Sequence, residues 1–221
     1  MPKIATRVAG AVSRLLRGTP TQRVIRAARR RGVTVYSRGQ WGSRQGRVYA
    51  DRRRDTARGR WGRFIQPADT VVQHITVTTP SGDVRADART VEQIGMERFG
   101  SGVSYNWLVD MTTGEVCAGQ PLDSKGTHTV NDKGVPGYSK DQNLVARAIA
   151  VIGQPGTRLS PRAEMAIGEL LAAHVDAGAI TPGFDYVPHS LFAAKDCPCD
   201  ATRNRMAAIR DRVTALVGRR P

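Results

Sequence analysis

The sequence predicts an α/β protein with a mixed central β-sheet flanked by helices and a basic helical N-terminal extension. Three observations predict it. Short β-rich runs alternate with amphipathic helical segments from about residue 68 onward, the pattern of a layered α/β domain. The chain has 221 residues, 40% of them apolar, enough for one full domain core plus an appendage. Positive charge is concentrated at one end. Residues 1–65 hold 18 of the 34 Lys/Arg and two of the 19 acids, a net +16, and the remainder of the chain sums to −1.

Taken in order, residues 1–33 read as two short basic helices. Ile4, Val8, Val12 and Leu15 recur at helical spacing. Thr19-Pro20-Thr21 breaks the chain and starts a second helix that ends near Gly32. Residues 37–66 are rich in Arg and Gly and read as irregular, with Trp41 and Trp61 expected to pack this stretch onto the domain. Val71 to Val77 is a β-rich run bounded by Pro67 and Pro80. Residues 90–99 predict a short helix stopping at Gly100. Val103 to Val109 predicts a strand, and Thr112-Thr113-Gly114 the turn into another, Glu115 to Ala118. Residues 119–143 form a long polar loop, a length usually kept for function. Val145 to Ile152 is a further apolar strand. Ser160-Pro161 caps and starts a helix running to about Gly178. A loop is expected over 179–200 and a last helix over about 202–217, with Met206, Ile209, Val213 and Leu216 as its buried stripe.

Composition excludes some classes. No run approaches the roughly 20 apolar residues of a membrane-spanning helix. Lys3 and Arg7 resemble the start of a secretory leader, but Arg14 and Arg17 interrupt the apolar stretch from Ala9 to Leu16 and no small-residue cleavage site follows, so no secretory signal is expected. Three cysteines, Cys117, Cys197 and Cys199, do not make a disulfide framework. The basic N-terminal third is suited to polyanions: anionic envelope polymers or lipids, met through residues 1–33, or, as the weaker expectation, nucleic acid. The clusters Arg29-Arg30-Arg31 and Arg52-Arg53-Arg54 would suit phosphate contacts, but no nucleic-acid fold signature accompanies them.

The chain has four histidines, His74, His128, His174 and His189. His74 lies inside an apolar strand, where most histidines are core residues. His174 sits within a helix beside Ala173 and Val175 and is assigned no role. His189 stands in a loop eight residues before Cys197. Two imidazoles and a thiolate would make a three-ligand zinc site with the fourth position left for water, the arrangement of a catalytic centre. Cys117, in a strand, reads as a small buried apolar residue. Asp196 and Asp200 read as solvated loop carboxylates.

Five segments, in order, resemble the family of N-acetylmuramoyl-L-alanine amidases that includes phage lysins and peptidoglycan recognition proteins. They are Arg38-Gly39-Gln40-Trp41-Gly42; Val71-Val72-Gln73-His74-Ile75-Thr76; Val103 to Val109 followed by Gly114; Gly126-Thr127-His128 with Asn131; and His189 with Lys195-Asp196-Cys197-Pro198. Together they span about residues 38–199. The resemblance implies Zn²⁺ bound by His74, His189 and Cys197, with Tyr105 and Lys195 as catalytic residues. It places His128, Asn131 and Thr76 against the substrate, peptidoglycan, whose bond between N-acetylmuramic acid and the L-alanine of the stem peptide would be hydrolysed. The expected organisation is a basic N-terminal extension, 1–36, and a zinc amidase domain, 37–218.

The chain departs from the family pattern in places. Ile75 stands where a second histidine is common, and Asn106 where histidine often follows the tyrosine. Pro188 and Ser190 flank His189 in place of the usual glycine and Arg-Asp. Cys199 replaces the glycine after Cys-Pro and leaves a competing thiol. Some family members bind peptidoglycan without cutting it and lack the zinc cysteine. A non-catalytic binding module is therefore the alternative reading, and Cys197 argues for an enzyme. The absence of a leader fits a phage lysin made in the bacterial host cytoplasm and acting on the wall after release, and a monomer is expected.

Overall fold

The computed structural model describes residues 18–44, 67–100 and 102–218. Among them, six strands form one sheet in the order β1-β4-β3-β5-β2-β6. The strands are β1 (Val35–Tyr36), β2 (Ala68–Ile75), β3 (Trp107–Asp110), β4 (Val116–Ala118), β5 (Arg147–Ile152) and β6 (Ile180–Pro188). The helices are α1 (Pro20–Arg30), α2 (Arg38–Trp41), α3 (Val84–Phe99), α4 (Gln142–Val145), α5 (Pro161–Asp176), α6 (Asp200–Arg203) and α7 (Met206–Gly218). Strands β3, β5, β2 and β6 run parallel, and β4 turns back against β3.

Pleating sorts the side chains of this sheet onto two faces. One face carries Val71, Trp107, Val109, Ile149 and Val151 and is buried under α1, α5 and α7. The other carries Leu108, Cys117, Ala150 and Ile152, covered by α3 and Trp41. That second cover stops short of β2 and β6. There Val72 packs with Ala146 and Phe192 from loops, and His74, two residues on in β2, shares this face.

Helices α5 and α1 each have a local reason to start. Ser160 Oγ accepts from the Ala163 backbone N–H at 3.0 Å, and Pro161 follows at the first helical position. In α1, Thr19 and Gln22 form a capping box. Its apolar stripe, Val24, Ile25, Ala27 and Ala28, enters the main core, and Arg31 is anchored to Glu169 at 3.0 Å and Asp176 at 2.8 Å. The packed core therefore reaches back to Pro20, within the stretch 1–36 expected to be an extension. The first expected helix, around residues 4–15, lies outside the described residues, as do Trp61 and Arg52-Arg53-Arg54.

Two elements differ from expectation. The loop expected over 179–200 contains β6, which Pro182, Gly183 and Asp185 disguise. Proline is tolerated because β6 is an edge strand, and the pairing register shifts between Ala68 and Thr70. The helix expected over 90–99 begins at Val84, because Asp83 accepts from the Arg85 N–H at 2.9 Å and caps it. Its first turns bury Ala88 and Asp87, and the Asp87 carboxylate takes the Ser81 N–H at 2.9 Å. Neither residue is a conspicuous apolar signal. Strand β3 starts at Trp107, later than the expected Val103. Asn106 extends the ladder instead: its N–H donates to the Ala148 carbonyl at 3.0 Å and its Oδ1 accepts from the Ala148 N–H at 2.8 Å.

Candidate metal centre and active site

Parallel register builds the centre. Gln73 pairs with Pro188, so the next residues, His74 and His189, stand side by side where β2 and β6 end. Their ring centroids are 4.4 Å apart. His189 opens a 3₁₀ turn, His189–Leu191, that bends the chain over the open part of the sheet. The Ser190 N–H then donates to the Cys197 carbonyl at 2.6 Å. This clasp closes the loop and returns Cys197 to the histidine eight residues before it. His74, His189 and Cys197 offer ligand atoms within 4.8 Å of one another, and the two histidines are buried. Cys197 Sγ lies 3.9 Å from His74 Nδ1. The peptide bond Cys197-Pro198 is cis.

The electrostatics suit a cation. Burial, then the neighbouring His189, His128 and Lys195, hold His74 well below the usual 6.5. Burial and Lys195 bring His189 down to about 4. Both rings are thus neutral near pH 7 with lone pairs to donate. Burial raises the Cys197 thiol, opposed by the Ile75 backbone N–H and Lys195. Ligating this sulfur requires losing its proton, and a bound dication favours that loss. Two buried, neutral imidazoles and one half-buried thiol, with a backbone N–H directed at the sulfur, fit Zn²⁺.

Around this set stand the other expected site residues. The Tyr105 ring centroid is 4.9 Å from that of His74, and burial pushes the phenol's pKa well up, so it is a hydrogen-bond donor and not a phenolate. Lys195 is exposed on the ligand loop, close enough to depress both histidines. His128 Nδ1 is 3.3 Å from His74 Nε2. Thr76 continues past β2, its hydroxyl 2.7 Å from that of Thr78. Between them Val77 is 55% exposed with φ +58°, a strained conformation for a β-branched residue. Asn131 is turned into its own loop: its Oδ1 accepts from the Val135 N–H at 2.9 Å and its Nδ2 donates to the Val135 carbonyl at 3.0 Å.

Other side chains fall outside the centre. Cys199 is buried at the start of α6 and is not among the three grouped ligands. Cys117 is buried with its thiol pushed up to about 12. His174 is a satisfied core residue: Nδ1 lies 2.7 Å from the Leu170 carbonyl, and Nε2 accepts from Trp107 Nε1–H at 2.7 Å. Asp196 and Asp200 are exposed and pair with Arg203.

One residue that the sequence reading passes over organises the loop that carries His128. Asn143 Oδ1 accepts from the His128 N–H at 2.6 Å and from the Thr129 N–H at 2.9 Å, and its carbonyl accepts from the Gly126 N–H at 2.9 Å. An asparagine in a polar loop carries no signal of such a role. Gly126 is there for space: a Cβ would meet His128 Cδ2 at 2.8 Å.

The sequence profile described as N-acetylmuramoyl-L-alanine amidase matches residues 65–200. The chain belongs to this amidase family. Among solved structures, similarity extends to Drosophila PGRP-LB, with 19% identity, a TM-score of 0.58, and coverage of 86% of this chain and 95% of that one. Human PGRP-IBETAC, solved in complex with glycosamyl muramyl pentapeptide, gives 23%, 0.57, 76% and 90%. The endolysin amidase LysCS from Clostridium intestinale gives 21%, 0.51, 65% and 83%. At these identities the likeness is one of fold. No curated protein sequence matches the chain. No helix among the described residues is long and apolar enough to cross a membrane.

Proposed function

We propose that this family member is a zinc-dependent hydrolase of peptidoglycan that cuts the amide between N-acetylmuramic acid and the stem-peptide L-alanine, in the manner of a phage endolysin. The observation that carries the reading is the convergence of His74, His189 and Cys197 beside Tyr105 and Lys195, on the stretch that the family profile covers. A binding-only module has no need of a half-buried thiol set beside two buried, neutral imidazoles.

His74, His189 and Cys197 would hold the metal. Bound zinc would polarise the amide carbonyl and acidify water. The protein's own groups do the rest. The amide oxygen gains negative charge as water adds, and a fixed donor or cation there lowers the barrier. Tyr105 keeps its proton and donates a hydrogen bond. Lys195 supplies positive charge two residues from a ligand, so its position follows the metal's. Water adds to the carbonyl, the C–N bond breaks, and the products are a muramoyl carboxylate and a peptide with a free L-alanine amine.

The test is metal analysis of the purified protein with mass spectrometry of digested peptidoglycan. About one zinc per chain and glycan strands freed of intact stem peptides are expected. Cuts within the glycan or within the peptide, or binding without cleavage by zinc-loaded protein, would overturn the reading. The basic N-terminal segment is proposed to hold the enzyme on anionic wall polymers or lipids, an attraction that salt screens. Because α1 belongs to the core, the truncation that checks this must stop before Thr19. Removing residues 1–17 should weaken wall binding at low salt and leave cleavage of a soluble muropeptide unchanged.

A further inference from the structure

We infer that His128 is a positioning residue for the metal centre: it accepts a hydrogen bond from His74 and so fixes the tautomer and orientation in which His74 meets the metal. The inference rests on the zinc reading above but assigns His128 a different task from contacting peptidoglycan.

The argument is one of proton bookkeeping. His74 turns Nδ1 toward Cys197 Sγ, at 3.9 Å, and Nε2 toward His128 Nδ1, at 3.3 Å. A nitrogen that ligates a metal cannot carry a proton. With Nδ1 facing the thiol, the single proton of neutral His74 sits on Nε2. The atom that faces it, His128 Nδ1, must then be the acceptor, which places the proton of His128 on its own Nε2. The rings meet edge to face, at 85° and 5.3 Å between centroids, so that one ring's edge points into the other. Both residues are buried, so water does not compete for the bond. Metal-binding histidines ordinarily donate their second N–H to a fixed acceptor, and loss of that acceptor lowers metal affinity roughly 10–100-fold.

The surroundings hold the acceptor in place. Asn143 ties down the backbone N–H groups of His128 and Thr129, and the bare Cα of Gly126 leaves room for the imidazole, which a Cβ would meet at 2.8 Å. Two residues, Asn143 and Gly126, thus hold one ring whose Nδ1 faces the proposed ligand His74.

The test compares zinc affinity, by competition with a chromogenic chelator, and the absorption spectrum of the Co²⁺-loaded protein. His128→Phe removes the acceptor and keeps the ring. His128→Asn keeps an acceptor near the Nδ1 position. Gly126→Ala displaces the ring without removing it. His128→Phe should bind zinc roughly 10–100-fold more weakly with an altered cobalt spectrum, His128→Asn should stay near wild type, and Gly126→Ala should fall between. If His128→Phe fails to fold, the order of Gly126→Ala below His128→Asn decides. Wild-type zinc affinity and spectrum in His128→Phe or Gly126→Ala, with only KM raised, would make His128 a substrate contact and overturn the inference. A wild-type protein that binds no zinc would instead bring down the functional reading on which it rests.

Discussion

The two faces of the sheet are built by different rules. Under α1, α5 and α7, burial is mainly apolar: Val71, Trp107, Ile149 and Val151 pack with Val24, Ala28, Ile167, Leu170 and Val213, with Gln73, Arg147 and His174 as buried polar residues among them. On the other face, beyond the reach of α3, the chain buries His74, Asn106 and His128, and directional bonds fix Asn106 and the loop that carries His128. Apolar burial is non-directional and tolerates exchange of similar volumes. A polar centre tolerates little, because each buried group needs its partner. One face therefore supplies stability and the other supplies geometry, and the two should respond separately to substitution.

The largest effect should come from the most direct attack on that separation. Cys197→Ser should lose zinc and hydrolytic activity together, yet unfold at the same denaturant concentration as wild-type protein when both are chelated. Cys199→Ser should keep most of both properties. Leu170→Ala, across the sheet, should cost about 2–5 kcal/mol of stability and leave zinc stoichiometry intact. If chelated Cys197→Ser unfolds early, or if folded Leu170→Ala loses its metal, the faces are not independent.

A smaller effect is expected within the site face. Tyr105→Phe and Lys195→Ala should retain zinc and unfolding midpoint and lose roughly 10²–10³ in turnover, the usual cost of one transition-state donor. Wild-type rates on purified peptidoglycan would return both to ordinary structural roles.

The smallest effect concerns His174, one of the buried polar residues on the mainly apolar face. Burial brings it from 6.5 to about 4. The unfolded chain binds the proton more readily than the fold does, so stability contributed by the neutral ring is fully present above about pH 6.5. It is lost as pH falls toward 4, by up to about 3 kcal/mol. His174→Gln keeps an acceptor for Trp107 Nε1–H and cannot titrate. Its urea midpoint should decline less steeply than wild type between pH 6.5 and 4. Parallel decline in the two proteins would show that His174 takes no part in acid sensitivity.

Legibility in the sequence follows the same division. Strands β2 and β5 and helix α5 stand out because contiguous apolar residues and a Ser-Pro cap are local signals. Helix α1 was visible as a helix, but its arginines masked the stripe of Val24, Ile25 and Ala28 that docks it in the core. Strand β6 was hidden because an edge strand tolerates Pro182 and Gly183. At the site, the proposed ligands and Tyr105 were named from the pattern of motifs, and the structure brings them together. Asn143 was not, because its role depends on the folded path of a long loop. The inward turn of Asn131 was invisible for the same reason.

The strand order has a consequence in time. His74 lies on β2, between β5 and β6, both of which follow it in the chain, and Cys197 comes 123 residues after His74. On a ribosome, β2 emerges with neither of its neighbours yet made. The three proposed ligands cannot meet until synthesis has passed Cys197, by which point all six strands of the described sheet exist. A partly made chain therefore cannot assemble the proposed metal centre, and a metal held there would report that the sheet is complete.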